Sequence, residues 1–437
     1  MSKARKLVTS RTGRFVQLGS LAGGLAGGAI MESSRQLMKG RRPVLEDVLL
    51  TPGNVRRIGE KLSQMRGAAM KLGQLLSMDV GTVLSPELAS ILSHLQEDSH
   101  TMPLGDIAAV LKSELGSDWN TQFEYFNFSP IASASIGQVH EARLKGGERI
   151  ALKIQYPGIA KSIDSDVDNV KLLLKYAGQL PEGMDLNPLI LEAKDQLYKE
   201  ADYCHEAEAL GQFSQAVNGD SRYQVPSVHK GLSTSHVLTM DYLEGEKITD
   251  LSTARPDERN RVASDLLELS LREVFLWGIV QTDPNFANYR YSREQQQIQL
   301  LDFGAVRFYP KDRVEHLNLL IEACLNSDME SLRRCAINLN YLDDSDPKDY
   351  QEEIIKLFLM VTEPLVHDGA YNFRTSDIAA RMKEHVIRLR LELRYSRIPP
   401  PDILFLHRKL GGVYLLLNHL GVSLDVREIW NRAKVAA

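Results

Sequence analysis

The chain has 437 residues, 43% hydrophobic and 25% charged, a near-average soluble composition that allows a sizeable buried core in two or three domains. A formal net charge of −5 argues against dedicated nucleic-acid binding, which calls for a basic domain or stripe. Cys204, Cys324 and Cys335 are scattered, and the eleven histidines form no H-x-x-x-H or H-E-x-x-H pair. This favours free thiols in a reducing compartment and disfavours a metal site built from protein side chains alone.

The N-terminus departs from that average. Lys3, Arg5, Lys6, Arg11 and Arg14 precede the first acid, Glu32, and between them Phe15 to Met31 is uncharged and rich in small residues. Gly19, Gly23 and Gly27 recur at every fourth position, as do Gly24 and Gly28, which on a helix makes a flat stripe open to close helix approach. Such a helix would be about 25 Å long, slightly short of a bilayer's hydrocarbon core. The expectation for 1–45 is a basic segment plus a membrane-associated or dimerising helix; the alternative is a disordered or surface-lying segment. A cleaved secretory signal fits poorly, and a mitochondrial presequence would have to be very short.

From about Glu46 to Glu114 the pattern is helical. Leu62, Met65, Ala69, Leu72, Leu75 and Leu76 follow a 3.6-residue period, Ser85-Pro86-Glu87 reads as a helix start running through Leu95, and Pro103 to Leu115 reads as a third helix. Phe123 to Ile154 alternates short β-prone runs with turns, including Lys145-Gly146-Gly147-Glu148 between two strands. Helical periodicity returns over Asn187–Gln215, a strand covers His236–Leu243, and a mainly helical stretch from Pro256 is broken by β-prone Asn288–Phe308. The expected domains are 46–120 (helical extension), 121–243 (small sheet with one long helix) and 244–437 (largely helical).

Leu301-Asp302-Phe303-Gly304 ends an apolar strand with a carboxylate, where it can ligate Mg²⁺ on ATP phosphates. Alone the motif is weak. Upstream, Gln281-Thr282-Asp283-Pro284-Asn285-Phe286-Ala287-Asn288 has the D-x-x-x-x-N spacing of a kinase catalytic loop, with Asp283 facing the attacking oxygen and Asn288 holding metal. Ile150-Ala151-Leu152-Lys153 matches the strand whose lysine neutralises the α/β-phosphates. Taken singly, that lysine reads as solvent-seeking; in this order the motifs reinforce one another. Met240-Asp241-Tyr242-Leu243 ends a strand where kinase backbone meets adenine, the alternative being an ordinary strand end.

Two departures narrow the reading. Where a kinase has a glycine-rich loop, this chain has Ile131-Ala132-Ser133-Ala134-Ser135-Ile136-Gly137. Alanine and serine stiffen the backbone that would close over phosphates, although the Ser135 hydroxyl is placed to contact one. No A-P-E follows Asp302-Phe303-Gly304, and Gly304 runs through Tyr309 into a helix, which leaves little room for a peptide-docking segment. On the one long helix expected over Asn187–Gln215, Asp202 and Glu206 share a face at i,i+4 while Glu200 points about 120° away from Glu206. One helix can then offer Glu206 to Lys153, the usual kinase ion pair, and Glu200 to something else.

The Ala/Ser-rich loop, the helical Lys71-Leu72-Gly73-Gln74 and Glu200-Ala201-Asp202 resemble the alanine-rich loop, KxGQ motif and ExD motif of the UbiB/ADCK family of atypical kinases. The resemblance extends to the segment from Pro399 to Leu417, so it covers nearly the whole chain; Ser133 is a small departure within the loop. It implies an α+β, bilobal protein-kinase-like fold with a helical N-terminal extension and a largely helical C-lobe. It also implies that Glu200 pairs with Lys71, with Gly73 and Gln74 alongside, so that the KxGQ helix covers the region where a peptide would bind. The expected function is a Mg²⁺-dependent, ATP- or ADP-binding ATPase or phosphotransferase that supports ubiquinone biosynthesis at a membrane. Alternatives are a nucleotide-responsive scaffold and a small-molecule or lipid kinase. Expected partners are membrane lipid, quinone-biosynthesis enzymes or intermediates, and a second copy through the glycine-rich helix, with no nucleic acid. The expected location is the bacterial cytoplasmic membrane, the alternative being the matrix side of the mitochondrial inner membrane.

Overall fold

The computed structural model describes residues 101–176, 187–393 and 399–435. The glycine-rich segment, the helices expected up to Leu95, and Lys71, Gly73 and Gln74 lie outside these residues. Two compact units divide the chain: one runs to His205 and regains Val228–Tyr242, and the other comprises Glu206–Ser227 and everything from Leu243.

In the first unit, α1 (Leu104–Leu115) precedes β1 (Phe123–Phe126), β2 (Ala132–Ser133), β3 (Gly137–Leu144) and β4 (Arg149–Gln155), and β6 (Val237–Asp241) completes the sheet. The order is β1-β3-β4-β6, with β2 also on β3, and every pairing is antiparallel. Strand β4 lies between β3 and β6 and is buried throughout except at Arg149, which is why apolar Ile150, Ala151 and Leu152 follow one another without alternation. The expected hairpin forms at Lys145–Glu148, where Gly147 takes φ 86°, a conformation that disfavours any side chain.

Two helical features differ from expectation. A helix not foreseen, α2 (Ile163–Tyr176), follows β4; its Ile163, Val167, Val170 spacing is helical but short. The single long helix is instead two, α3 (Asn187–Glu200) and α4 (Tyr203–Ala216). Asp202 breaks it: its Oδ1 accepts from the Cys204 backbone N–H at 3.0 Å, the bond of an N-cap residue. Gln155 holds the same corner, donating from Nε2 to the Ala201 carbonyl at 2.9 Å.

The second unit contains the hairpin β9 (Tyr289–Ser292) and β10 (Gln297–Leu300), within the stretch Asn288–Phe308 expected to be β-prone. Strand β5 (Tyr223–Gln224) adds parallel to β10, and β7 (Glu246–Lys247) adds antiparallel to β9. Around them lie α5 (Pro256–Arg272), then α6 (Lys311–Leu325), α7 (Met329–Asn338), α8 (Lys348–Val361), α9 (Glu363–Val366), α10 (Ile378–Ile387), α11 (Pro401–Leu420) and α12 (Val426–Val435). Strands β12 (Tyr371–Asn372) and β13 (Ser423–Leu424) pair beside them. Leu332, Leu339 and Ile403 are fully enclosed in this unit's core, each worth about 1.5–3 kcal/mol of apolar burial. The second unit resumes at Leu243. Glu206–Ser227, expected in the preceding domain, belongs here because Phe213 packs on Trp277 and Phe303, and β5 pairs with β10. Among the described residues no helix is long and apolar enough to cross a membrane.

Candidate active site

The first unit carries the residues expected at the phosphates. Ala132 and Ser133 are exposed and sit opposite Val139 and Gln138. The Ala134 N–H donates to the Gly137 carbonyl at 3.0 Å and Tyr156 N–H to the Ile136 carbonyl at 2.9 Å, so the Ala/Ser loop is a closed hairpin turn anchored to the end of β4. Gly137 is needed by close approach: a Cβ there would fall 2.4 Å from the Ile154 carbonyl oxygen and 2.6 Å from the Tyr203 hydroxyl. The Ser135 hydroxyl, expected at a phosphate, donates to Glu200 Oε2 at 3.0 Å. The loop is thereby tied to the C-terminal end of α3, where Glu200 is 7% exposed.

Lys153 lies within β4, opposite Val139 and Leu238, is 6% exposed, and has its ammonium 5.4 Å from the centre of the Tyr203 ring. A lysine this enclosed is not solvent-seeking. The residues expected at adenine end β6: Met240 is buried and paired with Ala151, Asp241 Oδ1 meets His229 Nε2 at 2.9 Å, and the Tyr242 N–H donates to the Arg149 carbonyl at 3.1 Å. Arg149 also lies 4.3 Å over the Tyr242 ring. Leu243, buried, opens the second unit. Asp202, expected on a helical face with Glu206, is instead the cap of α4.

The second unit carries the acids. Asn288 Nδ2 donates to Asp283 Oδ2 at 3.2 Å, so the D-x-x-x-x-N pair is assembled across a 3₁₀ turn at Phe286–Asn288. Asp302 Oδ1 accepts the Gly304 N–H at 2.9 Å. Phe303 is 2% exposed and packs on Phe213 with ring centres 5.3 Å apart. Glu206, 4% exposed, accepts the Phe303 N–H at 3.4 Å. The helix acid expected for lysine pairing braces the backbone of the Asp302-Phe303-Gly304 turn.

Residues to which the sequence assigned no role complete this arrangement. Gln281, at the end of β8 (Ile279–Gln281), accepts the Asp283 N–H on Oε1 at 2.9 Å and donates from Nε2 to the Asp302 carbonyl. One amide therefore joins the two carboxylate-bearing turns. Thr282 Oγ1 donates to the Ala305 carbonyl at 2.7 Å, and β11 (Val306–Phe308) pairs with β8. The segment that would be an activation loop is held as a strand. Arg408 Nη2 donates to Asp283 Oδ1 at 2.6 Å. Next to it, Lys409 donates to Glu273 at 2.7 Å and to the Tyr289 hydroxyl at 3.2 Å, while Glu273 accepts the Gln281 N–H at 2.8 Å. Burial works against the Lys409 ammonium, but the facing Glu273 carboxylate outweighs it and leaves the lysine above its ordinary range. Two adjacent cations and two glycines inside an apolar helix were the available signal.

The donor set suits one class of metal. Among the described residues no three His, Cys, Asp or Glu side chains cluster as a protein-only cage. Mg²⁺ needs no such cage: it takes one or two carboxylates and completes its octahedron with phosphate and water oxygens. Asp302 supplies a carboxylate, and Asn288, its amide N–H engaged by Asp283, has its carbonyl oxygen left to meet a cation. The residues fit nucleotide-borne Mg²⁺.

Comparison with known proteins follows the same lines. The ABC1 atypical kinase-like domain matches residues 94–336. The mitochondrial atypical kinase COQ8 of Saccharomyces cerevisiae is 34% identical over 431 residues, covering 98% of this chain and 85% of the relative. The mitochondrial atypical kinase COQ8B of Rattus norvegicus is 34% identical, covering 98% and 81%. A solved structure of Rv3197 with erythromycin from Mycobacterium tuberculosis superposes with a TM-score of 0.58 at 21% identity, over 91% of this chain and 96% of that one, a likeness of fold.

Proposed function

The chain belongs to the UbiB/ADCK family of atypical kinases, and on that premise we propose that it is a Mg·ATP-dependent ATPase or phosphotransferase serving coenzyme Q (ubiquinone) biosynthesis at a membrane. The observation that carries the proposal is the assembled acid constellation: Asp283 bonded to Asn288, and Gln281 joining Asp283 to Asp302. Lys153 neutralises phosphate charge, and the backbone of Met240–Leu243 receives adenine. Asp302 and Asn288 hold Mg²⁺, which when bound draws charge from the phosphate oxygens. Asp283 orients the attacking oxygen, of water or of an acceptor hydroxyl. Lys71, paired with Glu200, excludes bulky peptide. The names of the relatives support the quinone pathway and a mitochondrial location. Quinone-biosynthesis enzymes or intermediates and membrane lipid are the partners, with homodimerisation through the glycine-rich helix.

The test is Mg·ATP hydrolysis on anionic vesicles by wild type and Asp302→Asn. Loss of the metal-facing charge should slow turnover by about 10²-fold or more; indistinguishable rates would sink the enzymatic reading. One observation favours a second reading, a nucleotide-responsive scaffold: the Ser135 hydroxyl is committed to Glu200. A scaffold would bind nucleotide in a single-turnover experiment without releasing phosphate.

A further inference from the structure

Helix α11 contributes none of the nucleotide-handling motifs, yet three of its residues meet the catalytic loop or its support. Arg408 reaches Asp283, Lys409 reaches Glu273, and Gly412 lies so close to Pro284 that a Cβ would come within 2.0 Å of the proline's own Cβ. Positions 408 and 412 are one turn apart and 409 is beside them, so a single helix face carries all three. We propose that this face is the positioning element of the catalytic loop, with Arg408 the residue that fixes the Asp283 carboxylate for the attacking oxygen. The inference rests on Asp283 being the residue that orients the nucleophile.

The geometry separates this contact from an ordinary surface ion pair. Side chains of Arg408 and Asp283 are 7% and 22% exposed at a separation of 2.6 Å, whereas exposed pairs contribute little because water and rotamer entropy compete. With Arg408 on Oδ1 and Asn288 on Oδ2, rotation of the carboxylate is blocked from both sides. Each oxygen keeps a further lone pair with which to accept from a nucleophile. Lys409 acts one layer below: Glu273 receives it and the Gln281 N–H together, and Gln281 carries the Asp283 N–H. Gly412 sets how closely the helix approaches. A lysine at 408 would supply the charge without the planar fork that holds a carboxylate in one orientation.

The experiment uses the full chain with Mg·ATP and compares wild type, Arg408→Lys, Arg408→Gln, Gly412→Ala, Asp283→Asn and the double variant Asp283→Asn/Arg408→Gln. Misplacing the carboxylate should lower kcat about 10²-fold in Arg408→Gln, with KM for ATP unchanged and Arg408→Lys intermediate. Gly412→Ala should reproduce the loss with every charge in place. The double variant should be no slower than Asp283→Asn. In parallel, hydrogen exchange over residues 281–288 should quicken in Arg408→Gln while α5 exchanges as in wild type. Turnover by Arg408→Gln equal to wild type, losses that multiply in the double variant, or unchanged exchange over 281–288 would each overturn the inference. If wild type itself releases no phosphate, the enzymatic reading fails and the exchange result decides alone: faster exchange sustains the positioning role, unchanged exchange ends it.

Discussion

Ser135 shows how one hydroxyl can redirect the meaning of a loop. Nucleotide loops use backbone N–H groups and hydroxyls at phosphate, and Ser135 stands where such a hydroxyl would be, but its proton goes to the buried carboxylate of Glu200. A hydrogen bond to a charged acceptor contributes about 1.5–3 kcal/mol, and its removal leaves the carboxylate undersolvated. Ser135→Ala and Glu200→Gln should therefore each lower the thermal midpoint, and the double variant should fall short of the sum. Measured as a double-mutant cycle, a coupling of about 1 kcal/mol or more is expected for residues in direct contact. Additive losses would return Ser135 to a role at the nucleotide.

At the scale of elements, the corner between α3 and α4 turns on Asp202. Helical spacing read over Asn187–Gln215 finds one helix because apolar residues continue in phase on both sides of the corner. What ends α3 is a side chain that serves the backbone better as a cap than as a face residue. Asp202→Ala should cost about 1 kcal/mol, while Asp202→Ser and Asp202→Asn keep an oxygen for the Cys204 N–H and should lose far less. Thermal unfolding of the three variants checks this; equal losses in all three would assign Asp202 to something its charge does. The contrast also explains what was legible. Asp283, Asn288, Asp302 and the hairpin between them are set by local spacing, and Lys153 by an apolar strand, so the sequence displays them directly. Arg408 meets Asp283 across 125 residues, and no local pattern records a contact closed by tertiary packing. Helix α2 was missed for the opposite reason: its local pattern is short and thick with aspartates, and the shift from β to helical period comes within a few residues of β4.

At the scale of the whole chain, Glu206–Ser227 leaves its sequence neighbours and joins the second unit, and a charge network secures it there. Arg222 bonds Asp220 at 2.8 Å, Asp265 at 3.0 Å and Glu268 at 2.8 Å; Arg272 reaches Asp220 and Glu268; and Arg432, from α12, also reaches Glu268. The Arg222 guanidinium holds the Asp220 carboxyl down at about 2, against an ordinary 3.8. Glu268 is also lowered, its arginine partners outweighing burial, whereas burial raises Asp265. A carboxylate with a depressed folded pKa stabilises the fold above its unfolded pKa, and that contribution is lost as pH falls through the folded value. For Asp220 the window is pH 4 down to 2, and the raised Asp265 offsets part of the loss by taking up its proton sooner in the folded state. Partly solvent-screened, the Asp220 contribution at neutral pH is about 1–2 kcal/mol. Asp220→Asn should therefore be less stable than its parent by that amount at pH 7 and at pH 5, with the gap closing toward pH 2. Urea unfolding in a Trp119→Phe background isolates the second unit, since the remaining tryptophans, Trp277 and Trp430, both lie in it. A gap as wide at pH 2 as at pH 7 would mean that Asp220 holds the segment by packing and not by charge.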